Sequence, residues 1–432
     1  MTETLAEELT EPLTGALAQA PFTITDGLRR HARYTELAAA APVHRIVLPT
    51  GEPAWLITGY DEVRQALRDP RLVKNVAAMG TLGRQELGRQ ELGRQELGRQ
   101  ELGRDRLVPD TLAALGSHML NRNPPDHTRL RRLVSSAFTR RRIEQLAPRI
   151  QQITDELLAA MATTARADLI AAFALPLPIT VICELLGIPA DRRAEFHDWS
   201  ATIVAGALAE PDAYSCATTA MVRYLWELLR VKRAAPADDL LSALVAVRDG
   251  QDRLSEDELT SMVFVILVAG HETTANLISN GVHALLTHPE QLALLRAQPH
   301  RLPEAVEELL RFNGPAQATT PRFTTEPVNI GGVTIPAGEI VVSSVLSANR
   351  DPACTPHADT LDITRTDNPH LAFGHGIHHC LGAPLARLEA RIALGTLFTR
   401  FPQLRLAVPA EQLTWRPNML INSLDELPVI LR

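Results

Sequence analysis

The sequence predicts a mainly α protein with a small β portion, formed as one domain across residues 1–432. Three observations predict it. Amphipathic helical periodicity fills residues 128–233, then returns from Glu256 to Leu286 and from Ala383 to Phe401. Period-two apolar runs with Gly/Pro turns are confined to residues 46–58, residues 328–345 and the C-terminal tail. No segment between them has the composition of a flexible linker.

The elements follow in chain order. The N-terminal MTETLAEELTEPL is acidic and lacks both a basic start and an apolar core, so it does not read as a signal peptide. IVLPTGEPAWLIT, residues 46–58, is two short apolar runs about a Gly/Pro turn, hence a hairpin. A helical pattern runs from Asp61 to Arg68. Residues 83–107 then hold four perfect GRQEL-type pentads and a degenerate fifth. A glycine in every pentad costs a helix about 1 kcal/mol each, and a five-residue step turns successive leucines by about 140°, so no apolar stripe forms. The repeat reads as a surface loop, or alternatively as a lid or partner contact. The helical stretch that follows breaks at GIPADR, residues 187–192. The segment from Glu256 to Leu286 is apolar nearly all round at its middle and should be buried. Its strongest run, Met262 to Gly270, is about half of what a membrane span needs.

Composition narrows the classes. The chain is 45% hydrophobic and 22% charged, ordinary for a globular protein, and its net charge of −7 gives no general attraction to nucleic acid or anionic membrane. Cys183, Cys216, Cys354 and Cys380 are irregularly spaced, which argues against a disulfide framework and for a reducing setting. A cytoplasmic monomer is the expectation.

The chemistry concentrates in FGHGIHHCLG, Phe373 to Gly382. Zinc needs about four tetrahedrally arranged ligands, and three adjacent residues such as His378, His379 and Cys380 converge on one ion only in a contorted loop. A cysteine nucleophile needs a histidine base oriented by a third group, and adjacency to His379 alone is weak support. The third reading is a cradle for a flat cofactor. Gly374 and Gly376 permit left-handed backbone and close approach to a ring. Cys380 stands just before a helix with Pro384 in its first turn, where the dipole and free N–H groups favour a thiolate. A thiolate so placed suits axial ligation of haem iron.

Two more segments carry polar groups where apolar ones would be easier to bury. AGHETT, Ala269 to Thr274, lies inside the long apolar helix and includes Glu272 and Thr273, with Gly270 leaving room beside them. By themselves, Thr273 bonding back to a carbonyl and Glu272 facing solvent would account for it. EELLR places Glu308 and Arg311 one helical turn apart, the spacing of an ion pair. His127 and Arg131 in PPDHTRLRRL are also one turn apart on a helix.

FGHGIHHCLG resembles the Phe-Gly-x-Gly-x-His-x-Cys-x-Gly loop of the cytochrome P450 family, with all six fixed residues in place. AGHETT resembles that family's oxygen-binding stretch, and Glu308 with Arg311 its structural Glu-x-x-Arg pair. The motifs occur in the family's order from Pro124 to Pro384, and the wording is most similar to bacterial members that tailor macrolides, polyketides and other secondary metabolites. The resemblance implies haem b with Cys380 as axial thiolate, seated against Ala269, Gly270, Phe373 and Gly374. It implies that His127, Arg131, Arg322 and His378 bind the haem propionates, and that Glu272 and Thr273 manage protons for dioxygen.

The implied reaction is insertion of one oxygen atom of O2 into a small organic substrate. No flavin or iron–sulfur motif is present, so electrons are expected from a ferredoxin and its NAD(P)H-dependent reductase. The basic run Arg129, Arg131, Arg132 and Arg140 to Arg142 could dock such a partner or be a solvated face. The repeat is an insertion where the family's loop covers the substrate pocket, and Cys354 stands where an aromatic residue is usual. Rival readings are a peroxide-using or oxidative-coupling enzyme and a non-catalytic haem-binding recruitment module. Retention of both Cys380 and the Glu272–Thr273 pair argues against them.

Overall fold

The long apolar segment is one helix, Glu256–Thr287, and the rest of the chain is arranged around it. The computed structural model describes residues 20–74, 115–205, 211–247 and 252–432. The pentad repeat at 83–107 therefore lies outside the described residues.

The helix begins where chemistry says it should. The Ser255 side chain accepts from the Glu258 N–H, while the Glu258 carboxylate accepts from the Ser255 N–H, so each satisfies an orphan donor of the first turn. Its length and apolarity alone would suit a membrane span, but over half of its apolar window is buried by protein. It is a core helix.

The other principal helices are α1 (Gly27–Ala40), α2 (Tyr60–Arg68), α3 (Asp126–Ala137), α4 (Ala147–Met161), α5 (Pro176–Leu186), α6 (Arg193–Ala205) and α7 (Pro211–Ala234). They are followed by α8, the long helix itself, then α9 (Leu302–Asn313) and α10 (Ala383–Arg400). Helix α8 packs on α5, α7, α9 and α10, with Leu267, Ile278, Val282 and Leu285 fully buried at its centre. The break foreseen at GIPADR is real. Helix α5 ends at Gly187, whose φ of 69° is the left-handed cap that glycine adopts at no steric cost.

The β portion is small. Strands β1 (Val43–Val47) and β2 (Pro53–Ile57) form the foreseen antiparallel hairpin. With β3 (Leu72–Val73), β5 (Arg322–Thr324) and β8 (Ile340–Ser343) they make a five-stranded sheet in the order β1-β2-β8-β5-β3. Strands β4 (Arg166–Asp168), β9 (Arg405–Leu406) and β10 (Pro428–Ile430) pair as a second sheet, and β6 (Val328–Ile330) with β7 (Val333–Ile335) as a hairpin. The first sheet and α2 enclose a separate apolar cluster around Ile57, Val63 and Val328. Between this β portion and the helical core lies the loop that carries Cys380.

Candidate active site

Helix α8 presents Val265, Ile266, Ala269, Gly270, Thr273 and Thr274 along one stripe, as a 3.6-residue repeat requires. The stripe faces a cavity of about 280 Å³, mostly apolar, whose opposite wall is the loop around Cys380. Helix α3 closes one side with His127 and Arg131.

The cysteine loop takes its shape from its glycines and backbone bonds. Gly374 and Gly376 have φ of 70° and 72°. A Cβ on Gly376 would meet the Leu67 carbonyl of α2 at 2.9 Å, so glycine is needed there to let the loop approach. The Cys380 N–H donates to the Phe373 carbonyl at 2.9 Å, and the His379 N–H to Gly376 at 3.1 Å. Helix α10 then starts at Ala383 with Pro384 in its first turn.

Cys380 lines the cavity. Burial pushes its thiol up, while the N–H groups of Gly382 and Ala383 pull the other way and lose. The helix terminus thus contributes what the sequence led us to expect but does not make the thiolate unaided. A coordinated metal ion would supply the rest, since a coordinating thiol is deprotonated outright.

The basic side chains are short of partners. His127 is 2% exposed and neither ring nitrogen has one. Its ring stands 4.3 Å from that of His378, centroid to centroid. Arg322 is buried and donates from Nη1 to the Leu72 carbonyl at 3.1 Å, while its Nε has no partner. Burial, reinforced by the charges of His127, Lys74, Arg322 and Arg131, pushes His378 down to about 2. Two arginines with two histidines whose protonation burial opposes, gathered without an anion beside an apolar slot ending in a thiol, are what an amphiphilic dicarboxylic macrocycle fills. The residues fit haem.

On the α8 side, Thr273 Oγ1 donates to the Ala269 carbonyl at 2.7 Å and Thr274 Oγ1 to Gly270 at 3.1 Å. The Thr273 hydroxyl therefore spends its proton on the helix and keeps its oxygen lone pairs for the cavity. Glu272 is not among the cavity-lining residues. One residue along a helix is about 100° of rotation, so the pair does not share a face. Burial pushes the Glu272 carboxyl up, opposed by the charge of Arg416. Gly270 also leaves less room than its lack of a side chain suggests. A Cβ there would lie 3.2 Å from Ile182 Cδ1 of α5, so this glycine serves close helix packing as well as the cavity.

Behind the cysteine loop, α9 divides its two adjacent glutamates. Glu308 is fully buried and holds Arg311 through two 2.8 Å bonds. Arg311 in turn donates to the carbonyls of Asn349, Ala358 and Thr360, clamping the chain that leads into the loop. Glu307 accepts two 2.7 Å bonds from Arg387 of α10 and one from His370 at 3.0 Å. Burial would raise the Glu307 carboxyl, but these bonds outweigh it and hold it at about 2. Arg387 also lies over the Phe373 ring, 4.4 Å from its centroid. Sequence reasoning found Glu308 and passed over Glu307, because a lone glutamate beside a motif has no spacing signal of its own.

The basic run near α3 is largely committed within the protein. Arg129 pairs with Asp252 and Glu258, Arg140 with Glu144 and Arg142 with Asp238, while Arg131 turns to the cavity.

Comparison with known proteins agrees with this geometry. The cytochrome P450 family model matches residues 218–411. The chain is 51% identical to cytochrome P450 107B1 of Saccharopolyspora erythraea, covering 93% of this chain and 94% of that one. It is 43% identical to the mycinamicin IV hydroxylase/epoxidase of Micromonospora griseorubida, covering 95% and 98%. The tirandamycin C-bound P450 monooxygenase TamI superposes with a TM-score of 0.81 at 45% identity, over 93% of this chain and 97% of TamI. Fold and matches define a class of haem proteins whose iron takes a cysteine thiolate as axial ligand. The chain belongs to the cytochrome P450 family and is one of its monooxygenases.

Proposed function

We propose that this enzyme inserts one oxygen atom of O2 into a C–H bond or alkene of a macrolide or other polyketide, drawing electrons from a separate ferredoxin and its NAD(P)H-dependent reductase. The observation that carries the site assignment is one cavity lined by the Cys380 thiol together with His127, Arg131 and His378, His127 being buried with no partner for either ring nitrogen. Cys380 holds the iron. His127, Arg131, Arg322 and His378 take the propionates, and Ala269, Gly270, Phe373 and Gly374 close on the ring. Haem bound there supplies the oxidising power, with two electrons, two protons and O2 giving the inserted oxygen atom and one water.

The chain's own residues supply position and protons. The apolar stripe of α8 excludes water from the reacting face and favours an apolar substrate. The Thr273 hydroxyl, anchored to the Ala269 carbonyl, offers its oxygen to a proton-bearing partner in the cavity. Glu272, off the cavity and inclined to keep its proton, delivers protons toward it from the far side of the helix. The relatives' printed names, with mycinamicin IV and tirandamycin C, support a substrate of natural-product size. A cytoplasmic monomer of one P450 domain, with the repeat at 83–107 as an insertion, completes the reading.

Thr273→Ala tests the proton role. NADPH consumption should continue while substrate oxidised per NADPH falls by roughly 100-fold or more, the scale of one lost acid–base group. Unchanged coupling would contradict the assignment.

A further inference from the structure

Strand β3 pairs antiparallel with β5, setting Leu72 opposite Thr324 and Val73 opposite Phe323. Extending that register one residue past the end of β3 sets Lys74 opposite Arg322, and the Arg322 charge acts on the Lys74 amine. Directly opposed residues on an antiparallel pair share a face, with Cβ atoms about 5 Å apart, and like charges there are destabilising. The juxtaposition is held from both sides. Arg322 Nη1 donates to the Leu72 carbonyl at 3.1 Å, and Lys74 Nζ donates to the Thr320 carbonyl at 3.2 Å and to its hydroxyl. The Lys74 N–H donates to Asn123 Oδ1 at 2.8 Å, which ties this strand end to the turn before α3. Every acceptor around the two cations is neutral. Among the described residues neither has a carboxylate partner. Burial, then the Arg322 charge, pushes the Lys74 amine down to about 7.

Two opposed cations on one face, both laced in place and neither neutralised, form a claw for an anion. Resting on the haem reading above, we infer that Lys74 is a further cofactor-positioning residue: with Arg322 it brackets one propionate carboxylate of the bound haem. The strand end thereby joins the cradle of His127, Arg131, Arg322 and His378. Lys74 lies outside the motifs of the sequence and follows only from the β3–β5 register.

The test compares holoenzymes carrying Lys74→Gln, Lys74→Arg and Thr320→Val with the wild type. The readouts are the rate of haem transfer to excess apomyoglobin and the iron midpoint potential. Loss of a buried charged bond predicts haem loss about tenfold faster or more in Lys74→Gln. Its potential should also move negative, because a cation near the iron is gone. Lys74→Arg should restore both, and Thr320→Val, which keeps the charge and removes a tie, should resemble the wild type. Wild-type rate and potential in Lys74→Gln would overturn the inference, as would a Thr320→Val protein that reproduces its defect. Should Lys74→Gln not fold, Lys74→Met keeps the apolar stem and takes its place. Failure of both would make Lys74 a structural residue and also overturn the inference. A wild-type protein without thiolate-ligated haem would remove the haem reading itself, whereas a normal wild type with indifferent variants removes only Lys74.

Discussion

Single side chains in this enzyme are explained by what they lack. His127 has two ring nitrogens and no partner for either, in a position 2% exposed, a costly arrangement unless a ligand arrives. Its pairing with Arg131 was legible from one-turn spacing, whereas its contact with the His378 ring was not, because 251 residues of chain separate them. Glu389 poses the same question inside α10. It is 1% exposed, Oε2 has no partner, and burial pushes its carboxyl up to about 8. An unfolded glutamate titrates near ~4.3. Between that pH and about 8 the folded protein keeps a proton that the unfolded chain has released, so this group's contribution falls as pH rises. The slope reaches at most about 1.4 kcal/mol per pH unit. Urea midpoints at pH 6 and pH 8 should therefore fall more in the wild type than in Glu389→Gln. Equal falls would show that Glu389 is already ionised in the fold.

At the scale of elements, α9 shows how one short helix fixes the catalytic loop. Glu308 turns inward to Arg311, which holds three carbonyls of the following chain, and Glu307 turns outward to Arg387 and His370. Removing Glu308 strands a guanidinium that is 0% exposed, and a broken buried pair costs about 3–5 kcal/mol. Glu308→Ala should lose that much in denaturant unfolding, while Glu227→Ala, from an exposed pair with Arg230, should barely register. Similar losses in both would contradict the clamp. Helices such as α8 were legible because a long run that is apolar nearly all round has few other solutions. Strands of two or three residues such as β3 and β9 were not, since so few residues carry no period. The Glu272–Thr273 pair was legible as a pair but not as two faces: adjacency in sequence becomes rotation on a helix.

Across the whole molecule, α8 passes through the helical core while the β portion and α3 bring basic groups to the cavity edge. The Cys380 loop closes the remaining wall. Its motif made the site readable from sequence, but the claw of Lys74 and Arg322 needed the sheet register, a long-range property that no local spacing encodes. Within the basic run, Arg129 pairs with Asp252 and Glu258, Arg140 with Glu144 and Arg142 with Asp238. The central claim is that Cys380 ligates iron across the cavity from α8. The most direct measurement is the absorption spectrum of the dithionite-reduced protein under carbon monoxide, wild type beside Cys380→Ala. A red-shifted Soret band in the wild type alone is the expected result; no haem, or the same band in both proteins, would contradict it.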